Sequence, residues 1–375
     1  MTKDINLLSI SHSFIKKINL NLYFILEKFD KLKIYLIIPV QHKEENKILS
    51  PDFDINNIDL NIYAKKTFFN HLRFKIYLNL KKIISENNIT HILLDQDLIS
   101  LQSIVLLFNS YIYKYKIIYL SNENNIIEER NLIKKFIKII LYKLLYFIFN
   151  KKIKNIFCYT DQIKNNLDVC GLEKITKVLP LGFDDKIFFD KNNKSKNDKF
   201  IISYFGRINR KKGIKTLIKS LNKININNWE FHIDLFHIES LDFFKEIKND
   251  LKNLYKSKRL KIIKSNHNNI AHHMQNTHLT VVPSEWNEQY GRVIQEAAAC
   301  GSLVIGTNVG AIPEIINDNA FIFEQNNIEN LTKKIEDIYF NYNEYCRKFK
   351  KVKIDIQKKR SIKNQAKIIY QNLLD

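Results

Sequence analysis

Residues 283–313 read PSEWNEQYGRVIQEAAACGSLVIGTNVGAIP, and their pattern decides the fold class. The apolar runs at 279–282, just before them, and at 302–305, within them, are short, as strands of a buried parallel sheet are. Between the two, 291–300 is apolar and rich in alanine, which predicts a helix opening at Gly291. Strand, helix, strand is one crossover of an α/β fold. Glu288 and Glu296 lie either side of Gly291, and four of the eight glycines fall in the stretch, at Gly291, Gly301, Gly306 and Gly310. Carboxylates accept paired hydrogen bonds from vicinal hydroxyls, and the unpaired N–H groups of a helix N-terminus favour an anion. The stretch therefore suits a sugar and a ribose held beside a phosphate.

The same alternation runs outward in both directions. In the first half, candidate strands occur at 5–10, 33–38, 91–94, 116–120 and 155–159, with helical patterns near 20–28, 71–85 and 131–150. The polar run DKNNKSKNDK at 190–199 reads as an exposed linker or loop. A second series places strands at 200–205, 231–236, 260–263, 279–282, 302–305 and 320–323. Its helices fit 214–221, 241–254, 291–300 and 328–340. The expected fold is α/β, with two doubly wound Rossmann-like domains, 1–185 and 186–360, facing a cleft. Ligand is expected at the carboxyl ends of the strands. A last helix, 361–375, is expected to pack back on the first domain.

At 375 residues the chain exceeds one comfortable core. Its 45% hydrophobic and 26% charged residues read as globular rather than disordered. The net charge of +21 favours acidic partners, yet Lys, Ile and Asn saturate every region, as a coding bias would produce. No nucleic-acid partner is expected. The four cysteines, Cys158, Cys170, Cys300 and Cys346, form no CxxC pair and fit buried thiols in a reducing compartment. The start, MTKDINLLSISHSF, lacks the pattern of a secretory signal, so a cytoplasmic location is expected. GxGxxG and GxxxxGK[ST] are both missing, which leaves dinucleotide and Walker-type chemistry without support.

Cations complete the picture. Arg207 follows Gly206 at the end of the apolar run FIISYF, and Lys212 stands five residues on, where the next helix begins. Two such cations flanking a diphosphate would stabilise the charge developing on a leaving nucleotide. On one helix, an eight-residue offset would turn Glu288 and Glu296 about 80° apart. Glu288 must sit in the loop before the helix if both are to face one ligand.

The block EQYGRVIQEAAACGSLVIGTNVGAIPEII resembles the nucleotide-sugar site of GT4-type retaining glycosyltransferases (group 1), which have the GT-B fold. Glu288 and Glu296 match that family's paired glutamates, and the likeness extends to YFGRINRKKGIKTLI and VLPLGFDDKIFF. The resemblance implies an N-terminal acceptor domain and a C-terminal donor domain. It gives Glu288 the donor sugar hydroxyls, Glu296 the ribose, and Arg207 and Lys212 the diphosphate. Gly291 and Arg292 would offer backbone N–H groups, with Gly206, Tyr290 and Val293 completing the donor site. The implied reaction moves a hexose from a nucleoside-diphosphate sugar to a saccharide or glycolipid hydroxyl, without a metal cofactor. Cell-surface polysaccharide or lipopolysaccharide biosynthesis is the implied setting, with peripheral contact at the inner face of the membrane.

The first half departs from the family pattern. The loop after the first strand, SISHSFIKKIN, has no glycine, and Ser121-Asn122-Glu123-Asn124 stands where some members have a histidine. His12, Asp95, Asp97 and Asn124 are the acceptor-side candidates. Asp95-Gln96-Asp97 also has the form of the DxD metal site of GT-A transferases, a rival reading that would use Mn²⁺ or Mg²⁺. A second rival is a non-catalytic basic protein binding membrane or nucleic acid. The segment 131–155 mixes lysines with apolar residues that nearly encircle a helix. A core helix with snorkelling lysines is expected over one lying on a membrane.

Overall fold

The computed structural model describes residues 4–44, 47–69, 74–123, 126–191, 199–235 and 238–375. The chain divides into two compact units, Met1–Pro180 with Ile362–Asp375, and Leu181–Ser361.

The first unit is built on strands β1 (Ile5–Ile10), β2 (Leu32–Pro39), β3 (Asn61–Lys65), β4 (His91–Leu94), β5 (Lys116–Ser121), β6 (Ile153–Cys158) and β7 (Thr176–Val178). They form one sheet in the order β7-β6-β5-β4-β1-β2-β3, and every neighbouring pair is parallel. Leu7, Leu8 and Ile10 of β1 are fully buried, as are Ile34, Leu36 and Ile38 of β2. That burial on both faces is why these strands read as unbroken apolar runs. The crossovers carry α1 (Asn21–Leu26), α2 (Leu80–Glu86), α3 (Leu101–Tyr113), α4 (Leu132–Phe149) and α5 (Asp161–Asp168). The C-terminal helix, Ile362–Leu374, packs on α1 and buries Ala366, Ile369 and Leu373 in this unit's core.

Two expectations fail here. The helix expected over 71–85 begins only at Leu80; Ile76–Tyr77 is instead a short strand antiparallel to Thr67–Phe68, and 71–73 lie outside the described residues. Asn79 takes the left-handed conformation at φ 58°, which asparagine tolerates and a continuing helix does not. The second failure is larger. In α4 only Tyr142 and Phe149 are buried, so this helix is not a core helix.

The second unit repeats the plan with β8 (Phe200–Tyr204), β9 (Trp229–Asp234), β10 (Leu260–Ile263), β11 (Leu279–Val282), β12 (Leu303–Thr307) and β13 (Ile322–Phe323). Their order is β10-β9-β8-β11-β12-β13, again all parallel. Its helices are α6 (Ile214–Leu221), α7 (Leu241–Lys256), α8 (Ile270–Gln275), α9 (Arg292–Ala299), α10 (Ile312–Ile316), α11 (Ile328–Phe340) and α12 (Tyr342–Lys359). Ala297, Ala298, Ala299 and Cys300 have no exposed surface, and these small side chains let α9 approach β11 and β12 closely. In each sheet the strand order reverses beside the first strand, between β1 and β4 and between β8 and β11. Loops diverge at such a point and leave a crevice at the carboxyl ends of the strands.

Of the run 190–199, residues 192–198 lie outside the described residues. Its ends are tied down, Asp190 by Lys353 at 2.5 Å and Lys199 by Glu230 at 3.0 Å. Cys158, Cys170 and Cys300 are buried, whereas Cys346, expected to be buried too, is exposed on α12.

Candidate functional site

At the reversal point of the second sheet, the loops after β8 and β11 are locked together. Glu285 N donates to Lys211 O at 2.8 Å, and Gly213 has φ 65°. A Cβ at Gly213 would fall 1.7 Å from Pro283 O, so only glycine permits this approach. Gly213→Ala is expected to destabilise the protein by on the order of 3 kcal/mol, through positive φ and the clash together. A shifted denaturant midpoint would register that loss. The loop after β12 closes the third side: Ala311 N donates to Glu288 O at 2.7 Å, and a Cβ at Gly310 would lie 2.3 Å from Glu288 N.

This framework gathers cations and carboxylates around a pocket of about 340 Å³ lined by Arg207, Asn209, Lys212, Trp286, Glu288 and Tyr290, among others. Glu288 lies in the loop before α9. Its Oε2 accepts from Lys212 Nζ at 2.6 Å and from Ser284 Oγ at 3.4 Å. Asn209 caps the turn that carries Lys212, its Oδ1 accepting from Lys212 N at 3.0 Å. Arg207, directly after Gly206, pairs with Glu239. Backbone pairing of Ile208 with Ile238 brings that glutamate alongside. Lys211 Nζ lies 4.1 Å from the Trp286 ring centroid, a cation–π contact at the pocket wall.

Gly291 caps α9 in the left-handed conformation at φ 53°. The amides of Arg292 and Val293 fall in the helix's first turn, where N–H groups have no intrahelical acceptor and the dipole favours an anion. Gln295 Nε2 holds Tyr290 O at 2.8 Å and so fixes the residue before the cap. Glu296, one turn into α9, is 9% exposed, with Oε1 3.7 Å from Arg292 Nε. Burial pushes its carboxyl up to about 7, against a smaller pull from Arg292.

The first unit's reversal point holds a separate cluster. Ser11, after β1, donates to Asp95 Oδ2, after β4, at 2.5 Å. Burial raises the Asp95 carboxyl to about 6 despite that hydrogen bond. The rings of His12 and His42 stand 4.9 Å apart, and His42 Nδ1 is 2.6 Å from the Nζ of fully buried Lys75. Burial lowers the Lys75 ammonium. Asp97 turns the other way, accepting from Ser121 Oγ at 2.6 Å and Asn122 N at 3.3 Å. Asn124 lies outside the described residues.

The structure thus brings Gly206, Arg207, Lys212, Glu288, Tyr290, Gly291, Arg292, Val293 and Glu296 around two adjoining loops, and His12 and Asp95 into a second group. Sequence reading missed Glu239, Asn209 and Trp286 in the first, and Ser11, His42 and Lys75 in the second. Only Asn209 left a trace, as a capping residue at the start of a turn.

Comparison with known proteins now bears on this geometry. Residues 185–354 match the family model of glycosyl transferases group 1. A capsular polysaccharide biosynthesis glycosyltransferase, CapM of Staphylococcus aureus, is 31% identical over 204 residues, covering 48% of this chain and 53% of CapM. The D-inositol 3-phosphate glycosyltransferase of Paenarthrobacter aurescens is 26% identical, covering 43% of this chain and 42% of its own. The alignments therefore span about half the length of these curated relatives. Among solved structures, a glycosyltransferase from Rickettsia africae matches with a TM-score of 0.76 at 18% identity, covering 100% of both chains. Anabaena Alr3699/HepE in complex with UDP matches with a TM-score of 0.72 at 16% identity, covering 99% of both. At such identities the likeness shows the fold, which is GT-B. The GT-A fold expected on the rival reading of Asp95-Gln96-Asp97 falls with it; both aspartates lie in the loop after β4, Asp95 accepting from Ser11 and Asp97 from Ser121 and Asn122. Residues 185–354 are thus similar to the group 1 glycosyltransferases.

Proposed function

We propose that the protein is a retaining glycosyltransferase that moves a hexose from a nucleoside-diphosphate sugar to a hydroxyl of a saccharide or lipid-linked acceptor. One observation carries the reading: the reversal point of the second sheet gathers Arg207, Lys212, Glu288 and Tyr290 at one pocket, two residues ahead of α9. Guanidinium, ammonium and helix N–H groups can together stabilise a leaving diphosphate, work that a metal ion does in other transferases. No metal cofactor is assigned on this reading. Glu288 would accept hydroxyls of the sugar and Glu296 those of the ribose. In the free protein Lys212 and Arg207 are neutralised by Glu288 and Glu239, so an arriving diphosphate must compete with carboxylates for both cations.

The relatives support a donor of this class, HepE having been solved with UDP and with UDP-glucose. CapM supports polysaccharide biosynthesis as the setting. On the resemblance, the leaving phosphate takes the acceptor proton on the face it departs from, so no protein base is assigned. His12 and Asp95 would serve the acceptor side.

Anomeric configuration tests the reaction. An α-configured donor should yield an α-linked product by NMR coupling constants, and turnover should persist in excess chelator. A β-linked product would contradict retention. Activity lost to chelator and restored by Mn²⁺ would contradict the metal-free assignment.

A further inference from the structure

Helix α4 is amphipathic the wrong way round for a water-facing helix. Lys138 points inward and pairs with Glu123 at 2.7 Å, the two side chains 13% and 2% exposed. Lys135 Nζ donates to Ile127 O at 3.0 Å. The apolar side chains point out instead: Leu132 is 76% exposed, Phe136 65%, Leu144 50% and Phe147 78%. The pattern continues onto α3, where Phe108 is 63% and Ile112 70% exposed. Right-handed crossovers from β4 to β5 and from β5 to β6 place α3 and α4 side by side on one face of the sheet. Phe108 meets Phe149 edge-on at 5.2 Å, and Tyr111 Oη donates to Ile148 O at 3.2 Å. The two helices present one continuous apolar surface, larger than scattered single residues would make.

The charge around this surface names its occupant. From Arg130 to Thr160 the sequence holds no Asp or Glu. Lys134 and Lys143 on α4, with Lys114 and Lys151 beside the helix ends, are exposed. Neither α3 nor α4 carries an acidic residue, Glu128 and Glu129 lying ahead of α4. An apolar face flanked by lysines complements an anionic lipid surface, with the side chains in the acyl boundary and the ammonium groups among the headgroups. A second copy of the chain fits poorly, because a two-fold contact would set lysine against lysine. Among the described residues no helix is long and apolar enough to cross a membrane. We propose that α3 and α4 lie in the plane of an anionic bilayer, α4 contributing a strip about 27 Å long. This deepens the transferase reading, since a lipid-linked acceptor is presented at such a surface. Its test needs no donor, so either reading can fail alone.

Flotation of the full chain with phosphatidylglycerol/phosphatidylcholine vesicles, and with phosphatidylcholine alone, tests it. The protein should partition onto the anionic vesicles at low salt. The exposed triple variant Phe136→Ser, Leu144→Ser, Phe147→Ser should lose about 100-fold in partition coefficient. Lys134→Gln with Lys143→Gln should lose about tenfold on anionic vesicles and nothing on neutral ones. Circular dichroism and thermal midpoints should match the unsubstituted protein, the changed side chains being exposed. The proposal is overturned if the triple variant floats like the unsubstituted protein. It is also overturned if the unsubstituted protein binds no vesicles and is instead a dimer that these substitutions split.

Discussion

Lys212→Ala is expected to lower kcat/KM for a nucleoside-diphosphate sugar by about two to three orders of magnitude, the usual effect of removing one preorganised charge stabiliser. The side chain is placed for that role by its surroundings. Asn209 caps its turn at 3.0 Å, Gly213 brings the turn against Pro283, and the Nζ lies 2.6 Å from Glu288. Lys212 would meet the diphosphate in the bound donor and again as charge develops on it when the glycosidic bond breaks, so KM should rise as kcat falls. Lys215 supplies the control. It is a nearby lysine paired with the exposed Glu246 at 3.1 Å and outside the pocket lining, and its Ala variant should keep donor turnover. Equal losses from both variants would mean that Lys212 acts only through general positive charge.

Glu296→Gln is expected to act in opposite directions on binding and on stability. A carboxylate accepts two charge-assisted hydrogen bonds where an amide oxygen offers neutral ones, so donor affinity should fall by about 10- to 100-fold. Stability should move the other way. Burial pushes the carboxyl up to about 7 in the folded chain from its ordinary value of 4.5, so between those values the folded state holds a proton that the unfolded state has released. Stability from this group is complete below about 4.5 and is lost as pH rises through 7. Gln has no such dependence. The variant should gain stability over the unsubstituted protein by on the order of 2 kcal/mol between pH 5 and pH 8. Urea midpoints at the two pH values read this out. Donor affinity of the unsubstituted protein should also rise from pH 6 to pH 8, as the acceptor form of Glu296 fills. A residue kept ionisable at a cost in stability belongs to a site, and equal midpoints at both pH values would remove that argument.

Strands were legible in the sequence where both faces of the sheet are covered, so β1, β4 and β11 appear as apolar runs with the bounds expected. The edge strands β3 and β7 escaped, β7 because it has only 3 residues and β3 because none of its residues is fully buried. Helix α9 was legible from its alanines, and Glu288 fell in the loop ahead of it, as joint use of both carboxylates requires. The orientation of α4 was not legible. When apolar residues nearly encircle a helix, periodicity cannot say which side faces the sheet, and here the inward side is chosen by the buried Lys138–Glu123 pair. Glu239 was likewise hidden, since it reaches Arg207 only through the pairing of two loops from neighbouring strands.

On the proposed function, the second unit's pocket holds a nucleoside-diphosphate sugar between cations and carboxylates. Thermal melting of the unsubstituted protein, Arg207→Ala and Lys212→Ala against a panel of nucleoside-diphosphate sugars tests it most directly. A ligand that binds only the folded state raises the midpoint, by about 2.7 kcal/mol of apparent stability at 100 times its Kd. At least one donor should raise the midpoint of the unsubstituted protein, and both variants should lose most of the rise. A panel without effect, or a rise that both variants keep in full, would contradict it.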